Sequence, residues 1–285
     1  MHVIDRVTSN PAGRAAFKAV QPVIHLMRRM AHPNLPNELT ASSVSYGERQ
    51  FSIVHRRWSE TDQLAIDQCF KQRQYDMPVG AHGILINNLY QEILAAGRKP
   101  LIVDCGANIG TSVLWFSGRY PKAHIVAIEP APDNFNLLMI NSAGLDIDCR
   151  HAGISGTDGR AYIECEGSPM GYRTNYDAHG MEIEMVSLPT ILASKPDSQY
   201  TPFLLKIDIE GAERDLFHND AAAFNRFPLI IFEPHDWLLP GQLSSREFFR
   251  FHADAGREFC MNHENVASIA PRESLLNTKG IKLSQ

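Results

Sequence analysis

The sequence predicts an α/β protein, a mostly parallel sheet with helices on both faces behind an N-terminal α/β accessory region. From Lys99 onward, short apolar runs alternate with segments of helical period, the signature of β-α-β units. Within that pattern the run Leu101, Ile102, Val103 stops at Asp104, turns through Gly106 and Gly110, and opens a helical stretch. Such a strand, turn and helix bring bare backbone to the carboxyl end of a parallel strand, where doubly wound sheets bind ligands.

The accessory region is read as residues 1–97 and the ligand-binding domain as 98–285. In residues 15–30, Phe17, Val20, Val23, Ile24 and Met27 recur at helical spacing among Arg14, Lys18, Arg28 and Arg29, with Pro22 as a kink or late start. Asp5 and the scarcity of serines favour a helix packed on its own domain or a second subunit over a targeting or membrane-surface segment. Residues 44–57 read as one or two strands. Ser59 and Thr61 cap a helix to about Arg73, and Gly97 closes another over 80–96.

In the second region, strands are expected over 101–104, 125–129, 145–151, 203–208 and 229–233, with a final pair around 259–261 and 266–269. Helices are expected over 108–120, 132–142, 188–193 and 245–255, and a hairpin joins 161–164 to 182–186. The stretch 167–180 mixes Tyr172, Arg173, Asn175 and Tyr176 with glycines. It reads as an acceptor-covering loop or a plain surface excursion.

Bulk properties exclude several classes. With 44% hydrophobic residues, 285 residues supply a sizeable core, and a formal charge of −5 without a basic tract argues against nucleic acid as a partner. Five cysteines, Cys69, Cys105, Cys149, Cys165 and Cys260, never fall at CxxC spacing, which favours reduced thiols over disulfides or zinc. No run reaches the roughly 18 apolar residues of a membrane span, and no signal-peptide pattern opens the chain. A cytoplasmic protein with no stable membrane insertion is the expectation.

Asp104, Glu129, Asp208 and Glu233 each end an apolar strand, so a parallel sheet gathers them on one edge. Gly106-Ala107-Asn108-Ile109-Gly110 meets the dinucleotide fingerprint only in part and lacks the lysine of a P-loop. An acid before the turn suits a cationic ligand better than a pyrophosphate. S-adenosylmethionine brings an ammonium, a sulfonium and a ribose for Glu129; NAD remains the alternative.

Asp104 to Gly110 followed by Ile128-Glu129-Pro130 resembles the first two motifs of class I methyltransferases. Lys206-Ile-Asp208-Ile-Glu210-Gly211-Ala-Glu213 and Ile231-Phe-Glu233-Pro-His235 resemble later motifs of FkbM-type methyltransferases, and residues 61–75 are similar to the segment before that family's core. The resemblance spans roughly residues 60–265. It implies a Rossmann-like, seven-stranded sheet with an antiparallel last hairpin, and methylation usually at oxygen. It also implies that Asp104, Gly106, Ala107, Asn108 and Gly110 hold the methionine end of the cofactor. Glu129 then takes the ribose with Asn134 nearby, and His151 and Ala152 border the adenine.

For the chemistry, Asp208 is the group expected to face the methyl. Lys206 shares its strand face two residues earlier, as an orienting partner or a structural ion pair. His235 is a general-base candidate with Glu233 as its orienting partner or as a substrate contact, while Glu210 and Glu213 fit a helix N-terminus. Asp208, Glu210, Glu233 and His235 offer oxygen and nitrogen ligands of the kind that Mg²⁺ or Mn²⁺ takes, but the spacings demand no metal and none is the expectation. Trp237, Tyr172 and Tyr176 are stacking or core residues. The partners expected are a small-molecule, saccharide or secondary-metabolite acceptor and a second copy of the chain, with residues 1–97 lining the substrate pocket or forming a dimer surface. A catalytically silent scaffold is the reading from outside the enzymes.

Overall fold

The computed structural model describes residues 36–164, 173–175, 180–210, 213–217 and 221–271. The helix expected over 15–30, Cys165, Tyr172 and Tyr176 lie outside them.

The described chain opens with a hairpin of β1 (Leu39–Tyr46) and β2 (Arg49–Arg56), in register from Leu39↔Arg56 to Tyr46↔Arg49. Helix α1 (Glu60–Phe70) starts where Ser59 Oγ accepts a hydrogen bond from the Asp62 amide. Helix α2 (Gly80–Ala95) is followed by Gly97 at φ +72°, the left-handed stop that its glycine signalled.

The central sheet follows from β3 (Lys99–Cys105), α3 (Thr111–Arg119), β4 (His124–Ile128), α4 (Pro132–Ser142) and β5 (Ile147–Arg150). After an insert come β10 (Tyr200–Ile207), β11 (Leu229–Phe232), α8 (Arg246–Asp254), β12 (Glu258–Asn262) and β13 (Asn265–Ile269). Their order is β12-β13-β11-β10-β3-β4-β5. Every pairing from β5 to β11 is parallel, and β13 runs antiparallel to both neighbours. Strands covered on both faces must be apolar along their length, and β3, β4, β10 and β11 are buried almost throughout.

The insert is richer than the single hairpin expected. β6 (Gly153–Ser155), β7 (Gly159–Glu164), β8 (Arg173–Asn175) and β9 (Met181–Ser187) form a second sheet in the order β6-β9-β7-β8. Three-residue strands carry too little periodicity to read from sequence, which is why β6 and β8 were missed. Helix α5 (Leu188–Ala193) returns the chain to the main sheet. Short helices α6 (Glu213–Leu216) and α7 (Ala221–Asn225) occupy the crossover before β11.

Residues 36–97 share their core with the rest. Ile53, Val54 and Ile66 pack with Ile109, Leu114 and Leu137, while Tyr46 and Tyr75 meet Trp115 edge-on at 5.1 and 6.0 Å. Gly118 permits the approach, since a Cβ there would lie 2.6 Å from Tyr46 Cβ. Buried Asn141 closes the seam: its amide donates to Val54 O and Ile109 O, and its oxygen accepts from Val54 N, each at 2.8 Å.

Candidate active site at the carboxyl edge of the sheet

Parallel register decides which side chains meet. Lys206 on β10 pairs with Asp104 on β3, so both point to the same face of neighbouring strands. Lys206 Nζ lies 3.2 Å from Asp104 Oδ1 and 3.2 Å from Asp208 Oδ2, and donates to Gly106 O at 3.0 Å. Ser112 Oγ, in the first turn of α3, donates to Asp104 Oδ2 at 2.6 Å. Burial alone would lower the Lys206 pKa. The carboxylates of Asp104 and Asp208 outweigh it and hold the ammonium well above its ordinary value. Lys206 thus pairs with Asp104 across the strands and with Asp208 along its own, so the geometry is compatible with either reading.

The glycine turn is built on this pair. Gly106 takes φ +81°, and a Cβ there would lie 1.8 Å from Asp208 O, so the turn rests directly on the end of β10. The amides of Gly106 and Ala107 donate to Ile128 O at 3.1 and 3.0 Å, tying the turn to β4. Asn108 is left-handed at φ +49°, and Gly110 at φ +92° starts α3. Asn108 Oδ1 is buried and finds no hydrogen bond among the described residues.

Glu129 follows β4 and faces the same turn. Its carboxyl accepts from the Asn108 amide at 2.8 Å and the Ala131 amide at 2.9 Å, and burial raises its pKa to about 7. Asn134, buried on α4, accepts from Arg56 Nη2 at 2.9 Å, and Arg56 Nε reaches Asp62 Oδ2 at 2.9 Å. The β1–β2 hairpin thereby reaches the helix that borders Glu129, a contact no local spacing signals. His151 stacks on Phe135 at 4.7 Å and hydrogen-bonds Pro130 O at 3.0 Å, and Ala152 is buried beside it in sequence.

The second cluster stands at the ends of β10 and β11. His235 is buried, with Nδ1 2.7 Å from Glu213 Oε1 and Nε2 3.7 Å from both Asp208 Oδ1 and Glu233 Oε1. A carboxylate only accepts, so Nδ1 carries the proton toward Glu213. This corrects the sequence reading in two places. The partner that orients His235 is Glu213, on α6, and not Glu233; and Glu213 turns its charge onto the imidazole rather than serving the helix start alone. Burial opposes a charged His235, but the bond to Glu213 and the charges of Asp208, Glu213 and Glu233 outweigh it and raise its pKa to about 9. Burial, reinforced by Asp208, raises Glu233 to about 8 and Glu210 to about 7. Trp237 is 61% exposed, which removes it from the core.

The sequence residues therefore fall into two adjoining groups along one sheet edge. Asp104, Gly106, Ala107, Asn108, Gly110, Glu129 and Asn134 surround the glycine turn, while Lys206 links it to Asp208, Glu233 and His235. Tyr75, buried with its ring 5.9 Å from Lys206 Nζ, joins them from the segment after α1.

A sheet of this order, with its glycine turn after the central strand and its last hairpin reversed, defines the class I methyltransferase fold. The methyltransferase FkbM domain family matches residues 104–258, more than half the chain. The chain belongs to that family. It is similar to methyltransferase 1 of Beauveria bassiana (strain ARSEF 2860), 28% identical over 160 residues, covering 47% of this chain and 63% of that protein. It is also similar to the hexuronic acid methyltransferase AglP of Haloferax volcanii, 30% identical over 146 residues, covering 49% and 58% of the two chains. The matches thus span less than two thirds of those relatives. A solved precorrin-6y C5,15-methyltransferase from Geobacter metallireducens GS-15 is 14% identical at a TM-score of 0.35, over 66% of this chain and 84% of that one. Among the described residues, no helix is long and apolar enough to cross a membrane.

Proposed function

We propose that the protein transfers a methyl group from S-adenosylmethionine to an oxygen of a small-molecule, saccharide or secondary-metabolite acceptor. One observation carries the reading: the glycine turn and the Asp208–Glu233–His235 cluster open on the same sheet edge, joined by Lys206. The cofactor's chemistry fits the first group. Buried Asn108 Oδ1 awaits a donor, the bare backbone at Gly106 allows close approach, and carboxyls at Asp104 and Glu129 complement cationic and hydroxyl groups. Asp104, Gly106, Ala107, Asn108 and Gly110 would hold the methionine end. Glu129 with Asn134 would hold the ribose, and His151 and Ala152 would border the adenine. Bound there, S-adenosylmethionine supplies a methyl group activated by its sulfonium.

The chain's own residues position the acceptor and manage its proton. Methyl transfer gains much of its rate from holding the reacting atoms in line at short range. Asp208, oriented through Oδ2 by Lys206, presents Oδ1 to the acceptor side and takes the hydroxyl proton. With its pKa raised to about 9, His235 is an imidazolium at neutral pH, so it stabilises negative charge on the acceptor oxygen and is not the initial base. An acceptor carboxylate needs no base, and the name of the Haloferax relative supports acidic saccharides among the compounds to try. Incubation with S-adenosylmethionine and a panel of hydroxyl and carboxyl acceptors, read as S-adenosylhomocysteine release, tests the reading. Turnover lost in Asp208→Asn with cofactor binding intact supports it; release that no acceptor raises above the background without acceptor contradicts it.

A further inference from the structure

We propose that Asp208, Glu233 and His235 form a divalent-cation site of the Mn²⁺ or Mg²⁺ type at the acceptor end of the crevice. The inference rests on the methyltransferase reading for its purpose but not for its geometry. One ligand atom from each residue lies within 4.8 Å of the others. His235 Nε2 stands 3.7 Å from Asp208 Oδ1 and 3.7 Å from Glu233 Oε1, beyond hydrogen-bond reach of either. Ligands at about 2.1 Å from a centre lie roughly 3.0 Å apart when adjacent and about 4.2 Å apart when opposite, so only small side-chain shifts would bring these three atoms onto one ion.

The second observation is His235 itself. Its side chain is 3% exposed, and Nε2 faces Asp208 Oδ1 and Glu233 Oε1 at 3.7 Å each, within ion-pair range of both carboxyls but outside hydrogen-bond distance of either. Its other nitrogen is fixed by buried Glu213 Oε1 at 2.7 Å. A cation entering there would displace the proton that Nε2 carries in the ion-free site, and the carboxylate behind the ring would keep the tautomer and the ring orientation that ligation needs. Asp208 is prepared in the same sense: Lys206 occupies Oδ2 and leaves Oδ1 toward His235.

The donor set selects the ion. Two carboxylates and one imidazole suit Mn²⁺, with Mg²⁺ the harder competitor, and no thiol belongs to the group to favour a softer metal. Three protein ligands leave coordination positions for oxygens of the acceptor. An ion there would orient those oxygens and lower the pKa of the hydroxyl to be methylated, in place of the proton-accepting role that Asp208 Oδ1 has in the ion-free site. Acceptors with a second oxygen beside the reacting one, such as vicinal diols or hydroxy acids, match that site best.

The test is titration of the full chain, stripped with chelator and dialysed, with Mn²⁺, followed by calorimetry and by the electron paramagnetic resonance of free Mn²⁺. S-adenosylhomocysteine is titrated in parallel. The expected result is one saturable Mn²⁺ site per chain, weakened at least about tenfold in both Glu233→Gln and His235→Gln. Glu233→Gln keeps the side-chain shape, and retained S-adenosylhomocysteine binding certifies the fold of each variant. A wild-type chain that binds S-adenosylhomocysteine but takes up no Mn²⁺ at millimolar concentration overturns the cation site and leaves the methyltransferase reading standing. Uptake unchanged in both variants overturns it as well. Uptake that the variants abolish, in a chain that never binds S-adenosylhomocysteine, keeps the cation site and sinks the cofactor reading.

Discussion

Lys206 Nζ sits 3.2 Å from Asp104 Oδ1, an ion pair across two neighbouring parallel strands that is almost wholly withdrawn from solvent. The same ammonium donates to Gly106 O and pairs with Asp208, so one side chain joins the glycine turn to the Asp208–Glu233–His235 cluster. Removing one partner of a buried pair leaves the other charge uncompensated, at a cost of about 3–5 kcal/mol. Lys206→Met is therefore expected to lower the unfolding free energy by about that amount in urea titrations. An unchanged midpoint and slope would show that the pair contributes nothing.

Gly106 tolerates no side chain. A Cβ would lie 1.8 Å from Asp208 O, at a backbone angle of φ +81° that other residues avoid. The obstructing atom is backbone, so the turn or the end of β10 must move. Gly106→Ala is expected to abolish S-adenosylhomocysteine binding in calorimetry, with a loss of at least about 1–3 kcal/mol of stability from the strained conformation. Gly159→Ala, where the added Cβ meets open space and φ is not positive, serves as the control and should bind normally.

Glu129 is expected to make cofactor binding pH-dependent. Burial raises its pKa from 4.5 to about 7, so the free native state keeps a proton that the unfolded chain has released. Its contribution to stability is full below pH 4.5 and is lost as pH rises through about 7. Ribose hydroxyls donate best to the ionised carboxylate, so cofactor binding should tighten over the same rise and release a proton near neutrality. Calorimetry in buffers of different ionisation enthalpy reads that proton. Affinity that is flat from pH 5.5 to 8.5 would exclude this role.

Asn141 ties the accessory hairpin to the cofactor turn through Val54 and Ile109. Asn141→Ala strands three buried backbone groups, and each unsatisfied group costs about 1–3 kcal/mol. The expected outcome is a destabilisation of about 3 kcal/mol or more, with weaker S-adenosylhomocysteine binding because Ile109 belongs to the turn. Stability lost without any change in binding would separate the hairpin from the cofactor site.

Much of the fold was legible because its signals are local. Apolar runs ending at Asp104, Glu129, Asp208 and Glu233 announce parallel strands, and the bounds of α4 and α5 match the expectation residue for residue. The exceptions share a cause. β6 and β8 are too short for a period and α7 lies in a crossover segment too brief to show one, whereas the helix start expected at Glu210 and Glu213 falls at Glu213 in α6. In the site, Lys206 and Asp208 were readable from strand alternation. The contact of Glu213 with His235 was not, because it joins residues 22 apart on different elements. The same holds for Arg56 and Asn134, 78 residues apart.

Everything proposed for the site depends on the glycine turn and Glu129 holding S-adenosylmethionine. Calorimetric titration of the purified chain with S-adenosylhomocysteine, with NAD⁺ in parallel, tests it most directly. Saturable binding of S-adenosylhomocysteine that Glu129→Ala abolishes, with no heat from NAD⁺, is the predicted result. Binding of NAD⁺ alone, or of neither ligand to a folded chain, would contradict it.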